Sequence, residues 1–281
     1  MIKTAQQLKA LVRNRSKGSS AKAQEIMIAY ALERFLERLS LSSYRENFIL
    51  KGGALIASLV GIDNRSTRDV DATLKNLSLT KEEVLSLVEK VARMSLDDGF
   101  EFVVTNIVTI MDEQEYPGIR VFLDAKLERI RIPIKIDFST DDIITPSEIE
   151  YSLKLLFEDR VIFVCAYNIE AILAEKLQTI LSRGSASTRM RDYYDVYALT
   201  TLRSEIIDFS TLRSAFEITC RKRNTVLESD AIELIISEIE VGTPVTSLWE
   251  SYSSKFDYAA SITWSTIISA VRTTLEKASL I

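Results

Sequence analysis

Histidine is absent from this chain, and that absence removes more chemistry than any other feature of its composition. Ser-His-Asp and Cys-His nucleophiles, the usual histidine-containing zinc sites and an imidazole base are all excluded. Catalysis must run on carboxylates, lysine, arginine, tyrosine or hydroxyls, and a hard cation with oxygen ligands, Mg²⁺ or Mn²⁺, becomes the expected metal. Glycine (8) and proline (4) are scarce in 281 residues, which predicts a helix-rich protein with few elaborate loops. The two cysteines, Cys165 and Cys220, lie far apart in apolar stretches and are expected as buried thiols rather than a disulfide. No apolar run reaches the ~18 residues of a membrane span. Residues 1–12 are charged and amphipathic rather than a leader, so a cytoplasmic protein without membrane contact is expected.

What is present is enough for one large or two modest cores, with 47% hydrophobic and 27% charged residues. The net charge of −5 has the wrong sign for a protein that coats nucleic acid. The charge is uneven, however. Residues 1–24 hold Lys3, Lys9, Arg13, Arg15, Lys17 and Lys22 and no acid. Arg183, Arg189 and Arg191, then Arg221, Lys222 and Arg223, form further basic groups. Such patches can steer a polyanion onto an acidic protein, or they are solvated helix faces.

Periodicity predicts a helix capped by Thr4 and running to about Arg15, and a second from about Ala21 to Leu39. Phe48-Ile49-Leu50 reads as a short buried strand stopped by Gly52 and Gly53, with a helix over Ala54 to Val60. A strand is expected over Thr67 to Leu74, and a helix from Thr80, with Glu83 at the capping-box position, to about Met94. Three β segments follow: Phe100 to Met111, Ile119 to Leu127 and Ile130 to Phe138. In the last, Ile130, Ile132, Ile134 and Ile136 share one face, and Arg131, Pro133, Lys135 and Asp137 share the other. From Asn168 the pattern is helical: Ile169 to Leu181, Met190 to Leu202, Leu212 to Lys222, Ser229 to Glu240 and Ile262 to Ala278. No repeat, coiled-coil heptad or low-complexity segment intervenes, and a monomer is the default expectation.

Chemistry concentrates in three places. Lys51-Gly52-Gly53 sits at a strand-to-helix turn, where backbone N–H groups can receive a phosphate and Lys51 can add charge; a tight turn with a surface lysine has the same pattern. Asp69 and Asp71, at i and i+2 on a strand, point to one face and can hold one or two divalent cations, as phosphoryl and nucleotidyl transfer require. Asp137, on the polar face of its strand, can supply a third carboxylate, or can serve as counter-ion to Lys135 or Arg131. In the helical half, Glu175-Lys176-Leu177 precedes Arg189-Met190-Arg191-Asp192-Tyr193-Tyr194-Asp195. Lys176 can hold a triphosphate, with Asp192 or Asp195 as general base toward an acceptor hydroxyl. An intrahelical ladder, Arg189 to Asp192 and Arg191 to Asp195, explains the same spacing.

Together these stretches resemble the AbiEii/AbiGii family of abortive-infection nucleotidyltransferase toxins, within the polymerase-β-like superfamily. The resemblance covers most of the chain. Lys-Gly-Gly-x-x-Leu is approached by Lys51-Gly52-Gly53-Ala54-Leu55, with the leucine one position early, and Arg-x-Thr-x-Asp-hydrophobic-Asp matches Arg65-Ser66-Thr67-Arg68-Asp69-Val70-Asp71. The hydrophobic-Asp strand matches Ile136-Asp137-Phe138, and Glu-Lys-Leu matches Glu175-Lys176-Leu177. The final motif matches Arg189 to Asp195, with Arg191 where the family has lysine. Arginine keeps the charge but not the tunable ammonium, which puts the nucleotide contact on Lys176.

The resemblance implies an α+β fold: a polymerase-β-like core with a mixed sheet and N-terminal helices over residues 1–165, and a helical domain over 166–281 that completes the active site. It implies a Mg²⁺- or Mn²⁺-dependent transfer of NMP from an NTP, GTP or a pyrimidine nucleotide, to an RNA acceptor, tRNA first. Asp69, Asp71 and Asp137 are then the metal ligands and Asp69, Asp71, Asp137, Lys176, Asp192 and Asp195 the catalytic set. Lys51, Gly52, Gly53, Ser66, Thr67, Lys176 and Arg191 contact the nucleotide. It also implies a cognate antitoxin and a role in phage defence. Two alternatives stay open: nucleotidylation of a protein hydroxyl, and a non-catalytic module that binds GTP or a partner.

Overall fold

The computed structural model describes residues 1–111, 117–140 and 143–281. The chain forms two compact units: Met1–Ser58 with Ser66–Asp142 and Ile149–Ala166, and Leu59–Arg65 with Ile143–Glu148 and Tyr167–Ile281.

The first unit opens with α1 (Ala5–Ser16) and α2 (Ser20–Leu41). Thr4 and Gln7 form a reciprocal capping box at the head of α1, and left-handed Lys17 ends it. A seven-stranded mixed sheet follows, built from β1 (Phe48–Lys51), β2 (Asp69–Leu74), β3 (Phe100–Met111), β4 (Pro117–Leu127), β5 (Ile130–Ser139), β6 (Ile149–Lys154) and β7 (Val161–Ala166). Its strand order is β3-β4-β5-β2-β1-β7-β6. Helix α3 (Gly52–Val60) follows β1, and α4 (Lys81–Ala92) follows β2. Thr80 caps α4 through the Glu83 amide, but the Glu83 carboxylate accepts from Ser78 N (2.8 Å) instead of closing a capping box.

The alternation expected in β5 is present, with Ile132, Ile134, Ile136 and Phe138 buried on one face. Phe48 of β1 meets Phe138 edge-to-face at 5.8 Å on that apolar side. Helix α2 buries Ile26, Tyr30, Leu32, Phe35, Leu36 and Leu39 as its periodicity requires. It also buries Glu33, Arg34, Glu37 and Arg38, so its last turns are enclosed on all sides. Arg38 is satisfied there by a bidentate pair with Asp98 (2.7 and 2.8 Å) and by the carbonyls of Arg34, Met94 and Phe100. A buried charge persists only when partnered in this way.

Strands β6 and β7 form an edge hairpin that the sequence pattern does not announce. Of the six residues of β6 only Leu153 is buried, so no alternating apolar stripe marks it. Cys165 on β7 is half-buried rather than fully enclosed, Cys220 is buried, and no disulfide joins them.

The second unit carries α5 (Ile169–Arg183), α6 (Met190–Leu202), α7 (Phe209–Lys222), α8 (Ser229–Val241), α9 (Thr243–Ser253) and α10 (Trp264–Lys277). Asn168 caps α5 through the Ala171 amide at 2.7 Å. Helix α9 was not expected. It starts with proline in its first turn and buries Val245 and Trp249, an i, i+4 pair.

Candidate active site

Strand register assembles the first set of charged residues. Antiparallel pairing puts Lys51 of β1 opposite Asp71 of β2, parallel pairing puts Asp71 beside Asp137 of β5, and β4 puts Arg120 opposite Asp137. Paired residues share a face, so Lys51, Asp71, Asp137 and Arg120 form one row across four adjacent strands, on the face opposite the apolar core. Asp69 lies two residues before Asp71 on the same face and pairs in register with Lys135.

Gly52 makes this row possible. Strand β1 runs directly into α3, so the two glycines are the first residues of the helix rather than a loop before it. Gly52 has φ +63°, and a Cβ on it would stand 2.1 Å from Oδ2 of Asp71. A side chain there is excluded by backbone conformation and by volume. The Gly53 N–H donates to the same oxygen at 3.3 Å. The head of α3, where phosphate was expected, is thus in contact with the Asp71 carboxylate, which the helix dipole favours.

The three carboxylates are not equivalent. Oδ2 of Asp69 faces Lys135 Nζ at 3.1 Å, whereas its Oδ1 is buried and accepts no hydrogen bond. Asp137 gives both oxygens to Arg120, Oδ1 to Nε and Oδ2 to Nη2, each at 2.7 Å. Neither Lys135 nor Arg131 is its partner, since Arg131 pairs with Asp124 at 2.7 Å. The hydrogen bonds to Asp137 hold the Arg120 pKa above the usual arginine value, and the charges of Asp69 and Asp71 add to this. Among the described residues no three His, Cys, Asp or Glu side chains are gathered to hold a metal ion. Asp69, with its orphaned buried oxygen, and Asp71, in the space Gly52 leaves, fit a hard divalent cation. Asp137 as it stands does not.

Ser66 is buried, and the Thr67 hydroxyl accepts from the Asp69 N–H at 3.4 Å, a turn that leads the chain into β2.

The second set lies in the helical unit. Lys176 of α5 pairs with Asp192 and, at 3.3 Å, with Asp195, both on α6. Asp192 also accepts from Arg189 Nε at 2.7 Å, the i, i+3 contact that its spacing predicts. Asp195 is fully buried and accepts from Arg65 Nε at 2.6 Å. The expected Arg191 to Asp195 pair does not form. Arg191 points outward and lays its guanidinium over the Phe256 ring, 5.8 Å from the centroid. Burial alone would lower the Lys176 pKa, but Asp192 and Asp195 outweigh it and hold the ammonium above the usual lysine value. Burial would likewise raise Asp192, yet Lys176 and Arg189 keep it below the usual carboxylate range.

Arg65, Arg120 and Lys135 were not among the expected site residues. Arg65 opens the Arg-x-Thr-x-Asp-Val-Asp run, which is a signal in the sequence. Lys135 shares the polar face of β5 with Asp137. Arg120 carries no signal, because its role depends on the register of β4.

A family model for the nucleotidyl transferase AbiEii toxin of type IV toxin-antitoxin systems matches residues 34–276. The chain belongs to the AbiEii family of nucleotidyltransferase toxins. That span takes in both charged sets of this AbiEii protein. Its fold is similar to that of MenT4, a nucleotidyltransferase toxin of Mycobacterium tuberculosis H37Rv, with a TM-score of 0.62 at 16% identity, covering 97% of this chain and 90% of that one. The expected polymerase-β-like α+β class is thereby met. A putative nucleotidyltransferase from H. pylori aligns with a TM-score of 0.49 at 15% identity over 91% of this chain and 96% of its own. No curated protein sequence matches. AbiEii membership carries with it a nucleoside triphosphate substrate and an antitoxin partner. Among the described residues no helix is long and apolar enough to cross a membrane.

Proposed function

We propose that the protein transfers an NMP from an NTP, GTP or a pyrimidine nucleotide, to an RNA acceptor, with tRNA as the first candidate. By disabling that RNA it would arrest its host and limit phage. The observation that carries this reading is the pairing of an orphaned Asp69 oxygen with an Asp71 carboxylate seated against Gly52. Two carboxylates on one strand face, one of them with a buried oxygen that accepts no hydrogen bond, are ligands a hard divalent cation can use. A Mg²⁺ or Mn²⁺ held there supplies positive charge to phosphoryl oxygens.

The chain's own groups account for the rest. The Gly53 N–H and the dipole of α3 hold the Asp71 carboxylate in place, and Lys51 adds a cation in register with Asp71. Buried Ser66 and Thr67, whose hydroxyl turns the chain into β2, stand just ahead of Asp69. Within the helical unit Lys176 is a cation able to meet a phosphate. Asp192 is stabilised in its ionised form, and a carboxylate so stabilised is a weak proton acceptor near neutral pH. We therefore assign Asp192, and with it Asp195, fully buried against Lys176 and Arg65, to holding Lys176 in place rather than to removing the acceptor proton. In the reaction the acceptor hydroxyl loses its proton to solvent as its oxygen bonds to the α-phosphorus and the bond to pyrophosphate breaks.

Incubating the purified chain with each labelled NTP, total RNA and Mg²⁺ or Mn²⁺ tests this directly. Label on RNA is the expected outcome. Label on protein bands would move the acceptor to a protein hydroxyl, and no label with any NTP would leave the protein a binding module.

A further inference from the structure

Besides Lys51, which lies in register with Asp71, two side-chain cations meet the acidic face of the sheet with different grips. Lys135 touches a single oxygen of Asp69 and leaves the other bare. Arg120 spans both oxygens of Asp137 in a fork, the strongest geometry available to a guanidinium and a carboxylate. Asp137 stands beside Asp71 on the neighbouring strand, so this fork holds a permanent positive charge next to the Asp69–Asp71 pair, where a second metal ion would otherwise be shared with Asp137. Arg120 is about a third exposed (30%), and Nε and Nη2 serve Asp137. Among the described residues its Nη1 has no partner, so N–H donors remain for an anion.

We propose that Arg120 is the resident second positive charge of this site: it removes Asp137 from the ligand set, leaves Asp69 and Asp71 to hold a single divalent cation, and offers its remaining N–H groups to a phosphate oxygen of the nucleoside triphosphate. The proposal rests on the nucleotidyltransferase reading above. Unlike a metal ion, the guanidinium cannot dissociate, so the charge beside Asp71 is present whatever the divalent-ion concentration.

The test is Mn²⁺ binding by the full chain, read by electron paramagnetic resonance and calorimetry, with no turnover required. The wild type should bind about one Mn²⁺ per chain, and Asp71→Asn should weaken it by about tenfold or more. Asp137→Asn should leave that affinity nearly unchanged. Arg120→Gln, which frees Asp137, should add a second Mn²⁺ or tighten the first about tenfold. Arg120→Lys, which keeps the charge, should add none. In EDTA, the affinity for a non-hydrolysable NTP should fall about tenfold in Arg120→Gln, as expected for the loss of a charge-assisted hydrogen bond. Two Mn²⁺ in the wild type, or a loss in Asp137→Asn equal to that in Asp71→Asn, would overturn the proposal. Absence of Mn²⁺ binding in the wild type would instead remove the metal from the proposed function, and this proposal with it. Circular dichroism of each variant separates misfolding from these outcomes.

Discussion

Gly52 and Asp71 occupy touching space: a methyl group on the glycine would lie 2.1 Å from the carboxylate oxygen. Even with the Asp71 side chain moved aside, the residue at 52 would keep φ +63°, a conformation that costs an L-residue ~1–2 kcal/mol. Gly52→Ala should therefore displace Asp71 and cut nucleotidyl transfer by about a hundredfold or more while the protein still folds, with a loss of about 1–3 kcal/mol. Single-turnover kinetics beside urea unfolding measures both. Full activity in Gly52→Ala would show that Asp71 is not placed by this contact.

The Arg65 and Asp195 pair predicts a stability effect confined to the helical unit. Both side chains are buried, and Asp195 is shared with Lys176. Removing one partner strands a charge, so Arg65→Met should cost about 3–5 kcal/mol in chemical denaturation. The double variant Arg65→Met, Asp195→Asn should cost less than the sum of the single variants. Strict additivity would show that the pair is not coupled.

Arg38 and Asp98 offer the same test in the sheet-bearing unit. The Arg38 guanidinium donates five hydrogen bonds, to two carboxylate oxygens and three carbonyls. Arg38→Met should destabilise by about 3–5 kcal/mol. It touches no residue of the carboxylate row, so Mn²⁺ binding by the folded fraction should be unaffected.

Glu33 sets a pH dependence of stability. Burial raises its pKa from 4.5 to about 7, against the opposing pull of Arg34 and the Leu156 amide. A carboxyl raised in the folded state binds more protons folded than unfolded, so its contribution is complete below pH 4.5 and is lost as pH rises to about 7. The loss is about 3 kcal/mol. Glu33→Gln should flatten the melting temperature between pH 5 and pH 8. An unchanged slope would assign it to other groups.

Much of the fold is legible in the chain because its signals are local. Thr4, Ser19, Thr80, Asn168 and Thr263 each accept from an amide three residues on, and helix starts follow from them. Strand β5 declares its buried face by alternation. Edge strand β6 buries one side chain and so gives no pattern. The last turns of α2 mislead in the opposite way. Glu33, Arg34, Glu37 and Arg38 look like a solvent face, and they are buried because Asp98 and Arg160, 60 and 123 residues from the acid or base they pair with, are brought to them.

The sequence alone determined that histidine has no part in any chemistry here, that Asp69 and Asp71 share a strand face, and that Asp192 and Asp195 share a helix face at i, i+3. Each depends on composition or on a period of two or 3.6 residues, which covalent geometry imposes. Tertiary structure decided which carboxylate meets which cation. Asp137 went to Arg120 rather than Lys135, and Asp195 to Arg65 rather than Arg191. Those choices turn on strand register and helix docking, which are set by packing of the whole apolar core and leave no mark in the spacing of the charged residues themselves.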